Sequence, residues 1–330
     1  MSKALNALRN AGFGLALGLA ATGAPAWSAT NTVVIYNAVS TKLIQAFAEE
    51  FQKQNPGVKA EIISGGSGEL LTRIKAERAN PRGDVLVGPD ADVFDAEIDL
   101  FEAYDSKEKA GFDKAAVHPQ GKYYGFSTNF QAFIVNTKMM PLDKAPKSWA
   151  DLAKPEFKGK ILMANPAQSG SAYSQMHQIL MLYGWDVMGK IIQNATFVPS
   201  SKLAFQNVAK GEIAVGLTSE FNILVSKLEG NPVDFVYPSD GTALINDANG
   251  IIKGGPNGEN ARKFIDYVSS KQAHTILVDL DKRRSARLDV APPPGLPDAK
   301  GIKTFAYDSA GAAKNRTEEL EKFDKLFSAK

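Results

Sequence analysis

The chain contains no cysteine. That excludes a disulfide scaffold, a thiolate metal centre and a cysteine nucleophile. Histidine is almost as scarce. His118, His177 and His274 are the full set, and they lie far apart without a ligand-spaced partner. No histidine metal site is therefore expected. No Gly-x-x-x-x-Gly-Lys phosphate loop occurs. Ser67 sits in Gly65-Gly66-Ser67-Gly68-Glu69, which lacks the closing glycine of a nucleophile elbow. Asp90 and Asp92 are close in sequence, but paired carboxylates alone are a weak enzyme signal. Beyond the first 29 residues no apolar run is long enough to cross about 30 Å of hydrocarbon.

What is present is ordinary globular composition, with 44% apolar and 22% charged residues in 330. That length suits two lobes better than one core. Lys3 and Arg9 precede an apolar stretch from about Ala11 to Ala21. Small residues then flank a cleavage point at Ala24-Pro25-Ala26 or Ala26-Trp27-Ser28. Residues 1–29 thus read as a secretory signal peptide, cleaved near residues 26–29, and the mature protein is expected in the periplasm. Lys3 and Arg9 are the only charges in that leader. Without them the basic residues balance the 36 acidic ones. A near-neutral chain has no general electrostatic pull on nucleic acid or anionic membrane.

The first part alternates strand and helix. Val33-Val34-Ile35-Tyr36 reads as a buried strand. Ser40 reads as a helix N-cap, with Leu43, Ile44, Phe47 and Phe51 at helical spacing. Lys59 to Ile63 is a second strand, Leu70, Leu71 and Ile74 mark a second helix, and Asp84 to Gly88 a third strand. This β-α-β-α-β series predicts a parallel sheet with right-handed crossovers. Later helices are expected around Trp149 and Leu152, after Gly170-Ser171, over Lys202–Val208, Glu259–Ser269 and Thr317–Ser328. Strands are expected over Lys160–Met163 and Ile213–Leu217.

Ligands of parallel α/β sheets bind at the carboxyl ends of strands, against the N-termini of the following helices. Four such loops share one chemistry: Asn37-Ala38-Val39-Ser40-Thr41, Ser64-Gly65-Gly66-Ser67-Gly68, Ser169-Gly170-Ser171 and Thr218-Ser219-Glu220. Taken singly, serine and glycine before a helix are caps and turns. Taken together they describe a cleft of neutral donors that suits a phosphate, phosphonate or carboxylate.

The chain resembles bacterial periplasmic solute-binding proteins of the ferric-binding and organophosphate or phosphonate group. The carrying segments run from Ser67-Gly68-Glu69-Leu70-Leu71-Thr72-Arg73-Ile74 through Asn80-Pro81-Arg82-Gly83-Asp84-Val85 to Tyr124-Gly125-Phe126-Ser127 and Asn136-Thr137-Lys138. They continue with Pro146 to Leu152, Phe157 to Lys160, Lys210 to Ile213, Pro238 to Thr242 and Lys253 to Asn257. The resemblance implies an α/β chain with two Rossmann-like lobes joined by two crossover strands, the type II periplasmic-binding-protein fold. The crossings fall near Ser127–Val135 and Phe235–Thr242. Residues 30–128 and 243–330 would form the first lobe, and 129–242 the second. It further implies a monomer without cofactor or enzymatic activity, closing on its solute by a hinge and docking on the permease of an ABC importer.

Ferric members use a tyrosine pair in the loop after the Gly-Glu-Ile segment. Here that loop reads Leu217-Thr218-Ser219-Glu220-Phe221-Asn222, without tyrosine. Tyr123 and Tyr124 are adjacent, so their rings point to opposite sides of a strand. A ferric ligand set from Tyr36, Tyr124 or Tyr237 is kept as an alternative, and an enzyme acting on a phosphorylated small molecule as another. Glu220 would repel a simple anion but could accept from sugar hydroxyls or pair with an ammonium. Sugar phosphates and aminoalkylphosphonates are the expected solutes. The candidate ligand-binding residues are Asn37, Ser40, Thr41, Ser67, Gly68, Asp90, Asn129, Ser169, Gly170, Ser171, Thr218, Ser219, Glu220, Tyr237 and Asp240.

Overall fold

The computed structural model describes residues 31–330, and the signal peptide expected over residues 1–29 lies outside them. The described chain opens with β1 (Thr32–Asn37), α1 (Thr41–Gln54), β2 (Lys59–Ser64), α2 (Ser67–Ala76), β3 (Val85–Asp90), the short α3 (Ala91–Asp95) and β4 (Phe101–Glu102). β1 lies between β2 and β3 and pairs with both in parallel. α1 forms because Leu43, Ile44, Phe47 and Phe51 recur on one buried face. Its first turn is held by Ser40, whose Oγ accepts from the Leu43 N–H at 3.1 Å. Every residue of β3 is buried, as befits a strand covered on both faces.

There follow β5 (Tyr124–Asn136), β6 (Ile161–Ala164), α4 (Gly170–Asn194), β7 (Ala195–Val198), α5 (Ser201–Lys210), β8 (Val215–Ser219), α6 (Glu220–Leu228) and β9 (Val233–Val236). The chain ends with β10 (Leu244–Ile252), α7 (Gly258–Val268), α8 (Lys271–Asp281), β11 (Arg284–Ser285) and α9 (Ser309–Ser328). The long β5 joins two half-sheets. Its Tyr124–Phe130 stretch pairs antiparallel with β10, and Gln131–Val135 pairs antiparallel with β8. The strand order is β2-β1-β3-β10-β5 on one side and β5-β8-β6-β7 on the other. Each half has its own core. Val33, Phe47, Phe51, Phe126 and Phe264 pack in the first, and Phe133, Trp149, Tyr173, Ile191 and Leu217 in the second.

Several elements differ from the sequence reading. Trp149 and Leu152 flank or lie in a single 3-10 turn (Ala150–Ala153) rather than a helix. Pro155 has no N–H to give to the Asp151 carbonyl, so the turn does not continue as an α-helix. β10 was not expected, because Asn246, Asp247, Asn249 and Gly250 disfavour a strand by propensity. Pairing with β3 and β5 on its two sides holds it extended. α8 was not expected either. α9 starts eight residues before Thr317, because Asp308 caps it through the Gly311 N–H at 2.8 Å. The assignment of residues 243–330 to the first lobe fails for α9. Its Ala312 and Phe323 are fully buried in the second core, and the Phe323 ring lies 5.2 Å from that of Phe197.

Candidate functional site

The carboxyl ends of β1, β2, β6, β7 and β8 point toward one cleft between the half-sheets, as parallel strand–helix units require. Ser169 caps α4 by accepting from the Ala172 N–H at 3.4 Å. Ser201 opens α5. The hydroxyls of Ser169, Ser171 and Ser201 lie within 2.6–3.2 Å of one another. α2 faces them from the other half. A side-chain carbon on Gly170 would stand 3.1 Å from Ser67 Oγ and 3.6 Å from Asp90 Oδ1. The N-termini of α2, α4 and α5 therefore converge, and their free N–H groups make the place electropositive without any cation.

Two glycines permit that approach. A Cβ on Gly66 or Gly68 would collide with the carbonyl oxygens of Gln168 and Ala167 respectively, across the cleft. The first loop contributes differently from what its composition suggested. Asn37 is spent on structure: its Oδ1 accepts from the Val39 N–H at 3.1 Å and its Nδ2 donates to Ser64 Oγ at 3.0 Å. Ser40 caps α1 and donates to Asp281 Oδ1 at 2.5 Å, and Thr41 is exposed beside it. None of the three touches the hydroxyl cluster.

The other end of the cleft carries charge. Glu220 opens α6 and is fully buried. Its oxygens receive Arg284 Nε at 2.7 Å, Arg284 Nη2 at 3.1 Å and the Tyr237 hydroxyl at 2.7 Å. The expectation that Glu220 would accept from a ligand tail is thus corrected, because a buried carboxylate requires a counter-ion and this one already has it. Burial and the Glu220 charge hold the Tyr237 hydroxyl well above its usual range. Arg284 reaches Glu220 because β11 pairs with Ser127 and Thr128 of β5.

Next to this pair, Arg283 Nη1 donates to Asp247 Oδ2 at 2.8 Å and its guanidinium lies 3.8 Å from the Phe221 ring centre. Asp247 also accepts from the Ser127 hydroxyl and, at 3.3 Å, from Asn129 Nδ2. Gln131 donates to Asn129 Oδ1 at 2.9 Å and to Ser219 Oγ at 3.1 Å, and accepts from Gln175 Nε2 at 2.7 Å. Thr218 is buried and accepts from Asn222 at 2.9 Å. Asp90, at the end of β3, accepts from the Ser174 hydroxyl of α4, a bond that crosses the cleft. Burial first, and the Asp247 charge second, push Asp90 up to about 7. Asp240 does not join this group. It accepts from the Trp149 N–H at 2.9 Å and the Tyr183 hydroxyl at 2.7 Å, which pins the turn on the second crossover.

Sequence reasoning missed Ser127, Gln131, Ser174, Gln175, Ser201, Asp247, Arg283 and Arg284. One signal was available. Ser127, Asn129 and Gln131 alternate along β5, which places three polar side chains on one face.

The tyrosines weighed for iron do not meet. Tyr36 donates to Glu77 at 2.5 Å, Tyr124 to the Tyr104 carbonyl at 2.5 Å and Tyr237 to Glu220. Tyr123 turns the other way, toward Asp95 at 3.4 Å. Among the described residues no three His, Asp or Glu side chains are placed to hold a metal ion, and no helix is long and apolar enough to cross a membrane.

Known proteins agree with this architecture. Over 295 residues the chain is 29% identical to a protein of Salmonella typhimurium provisionally named a 2-aminoethylphosphonate-binding periplasmic protein, covering 83% of this chain and 84% of the relative. It is 24% identical to the Fe(3+)-binding periplasmic protein of Serratia marcescens, over 78% and 79% of the two chains. The structure of the periplasmic binding protein AfuA from Actinobacillus pleuropneumoniae, with fructose 6-phosphate bound, superposes with a TM-score of 0.84 at 26% identity, covering 90% of this chain and 98% of that one. The fold is that of type II periplasmic binding proteins. The family model for bacterial extracellular solute-binding proteins matches residues 32–279, so this chain belongs to that family, whose members bind solutes rather than catalyse reactions.

Proposed function

We propose that the protein captures a small organic phosphate or phosphonate between its two lobes and delivers it to the membrane permease of an ABC importer. One observation carries this reading. The hydroxyls of Ser169, Ser171 and Ser201 gather where α4 and α5 begin, and Ser67 at the start of α2 faces them. Such a place offers several neutral donors and three aligned helix dipoles to a compact oxyanion. A relative named for 2-aminoethylphosphonate and a similar structure with fructose 6-phosphate bound support the same ligand class. A ferric cargo is disfavoured, because Tyr36, Tyr124 and Tyr237 are held at separate places by separate partners.

A thermal-shift screen of the chain from Asn31 onward tests the proposal. The panel is fructose 6-phosphate, 2-aminoethylphosphonate, inorganic phosphate, a carboxylate series and ferric citrate. A ligand at about a hundred times its dissociation constant adds roughly 2.7 kcal/mol, enough to raise the melting point by several degrees. A shift with a phosphate ester or phosphonate supports the reading. A shift with ferric citrate alone, together with a tyrosinate-to-iron absorption band, overturns it.

A further inference from the structure

We infer that the solute carries a positively charged amine as well as its anionic head, and that Asp90 is the seat of that amine. The inference rests on the proposed oxyanion site and narrows its ligand class to amine-bearing phosphonates or phosphate esters.

The charges at this end of the cleft do not balance. Arg284 is paired with Glu220 at 2.7 Å, Arg283 with Asp247 at 2.8 Å, and Arg316 of α9 lies 3.6 Å from Asp92. Arg283 is also shared with Asp281 at 3.5 Å. Asp90 is 6% exposed and, among the described residues, is the buried carboxylate at this end without a cation within salt-bridge distance. Among the described residues the Ser174 hydroxyl donates to it, and the side chain of Asp247, which holds Arg283, lies within hydrogen-bond reach of it. Two buried carboxyl groups thus share the one guanidinium of Arg283, and a cation brought by the ligand supplies the second positive charge the pair lacks.

A second observation points the same way. Gln175, next to Ser174 on α4, is 1% exposed. Its Nε2 is committed to Gln131, and its Oε1 is a buried acceptor with no donor. Flipping the amide would set that oxygen against the Gln131 carbonyl oxygen, whose own amide nitrogen is already engaged with Asn129 and Ser219. What Gln175 lacks is a donor, one residue along α4 from the hydroxyl that holds Asp90, and an ammonium has three and no acceptor. Asp90 also lies near enough to the hydroxyl cluster for one small molecule to span both. Its Oδ1 would stand 3.6 Å, and Ser67 Oγ 3.1 Å, from the same added carbon on Gly170.

The test compares four probes by calorimetry: 2-aminoethylphosphonate, O-phosphoethanolamine, ethylphosphonate and fructose 6-phosphate, on the wild-type chain and on Asp90→Asn. The amine should strengthen 2-aminoethylphosphonate over ethylphosphonate by about ten- to a hundred-fold, the range of a buried charge-assisted bond. In Asp90→Asn that ratio should fall to about three-fold or less, with ethylphosphonate unchanged or tighter, since a repelling charge is gone. O-phosphoethanolamine separates an ester from a phosphonate source of the same chemistry. Equal binding of the amine and amine-free phosphonates to wild type, or tighter binding of fructose 6-phosphate, overturns the inference while leaving the oxyanion site standing. An equal loss of both phosphonates in Asp90→Asn also overturns it. Should none of the four bind, the proposed function itself fails. If Asp90→Asn does not fold, the wild-type ratio alone decides.

Discussion

The two ends of the cleft are built on opposite principles. At one end, neutral hydroxyls come from the first residues of α2, α4 and α5, and they bond mainly to one another. At the other end, carboxylates from α6 and β10 meet arginines that sit just before and within β11. The neutral end is cheap to leave empty, because the hydroxyls of Ser169, Ser171 and Ser201 bond to one another when no ligand is present. The charged end is held together before any ligand arrives. Removing a group should therefore change affinity at the first end and stability at the second.

The sharpest break of that contrast is Arg284→Ala. It leaves Glu220 fully buried with the Tyr237 hydroxyl and a 3.4 Å contact from the Phe130 N–H. We expect a loss of about 3–5 kcal/mol in urea unfolding, partly recovered by adding Glu220→Gln. An unchanged unfolding midpoint would show that the pair is not structural. Next comes Gly68→Ala, whose new methyl group would meet the Ala167 carbonyl only when the lobes are together. Affinity for the bound phosphonate or phosphate should drop about ten-fold or more through loss of the closed state. Scattering in the presence of ligand should then report a more extended particle. Full affinity would mean that the loops separate freely in the bound form.

The double change Ser171→Ala/Ser201→Ala should act in the opposite sense to Arg284→Ala. Stability should move by less than about 1 kcal/mol, since partners are removed together, while affinity for the anionic head falls about ten-fold. Calorimetry and unfolding on one preparation check both. The smallest expected effect is on pH. The carboxyl of Asp90 titrates near 7 in the folded chain, above its ordinary 3.8, so the folded state holds that proton more tightly. Its contribution to stability is present at low pH and is lost as pH rises from about 4 to about 7. Buried His274 runs the other way. Burial lowers it from 6.5 to about 3, so its contribution is lost as pH falls through that window. The two slopes oppose each other below pH 6.5. Asp90→Asn should therefore steepen the rise in unfolding midpoint between pH 4.5 and 6.5. An unaltered profile would place Asp90 in a solvated, ordinary state.

The neutral end was largely legible. Ser67, Gly68, Ser169, Gly170 and Ser171 stand immediately before or at the start of a helix, and a cap is a local event written over three or four residues. The first β-α-β-α-β unit was legible for the same reason: its periodicity is carried by neighbours in sequence. Ser201 escaped because its partners are 30 and 32 residues away. Glu220 was noticed but misjudged, since its counter-ion lies 64 residues downstream in β11. Asp240 was drawn into the site by its composition, whereas Trp149, 91 residues upstream, claims it.

By itself, then, the sequence determined the alternating strand-helix units, the helix caps and the run of donor loops, because apolar period and cap chemistry act over a few residues. Only the tertiary structure decided which charges neutralise which, where α9 packs, and that Asp90 is left without a cation. Those outcomes depend on β10 and β11 closing against β5. The energy of a buried charge is set by whichever groups the fold brings to it, not by those beside it in the chain.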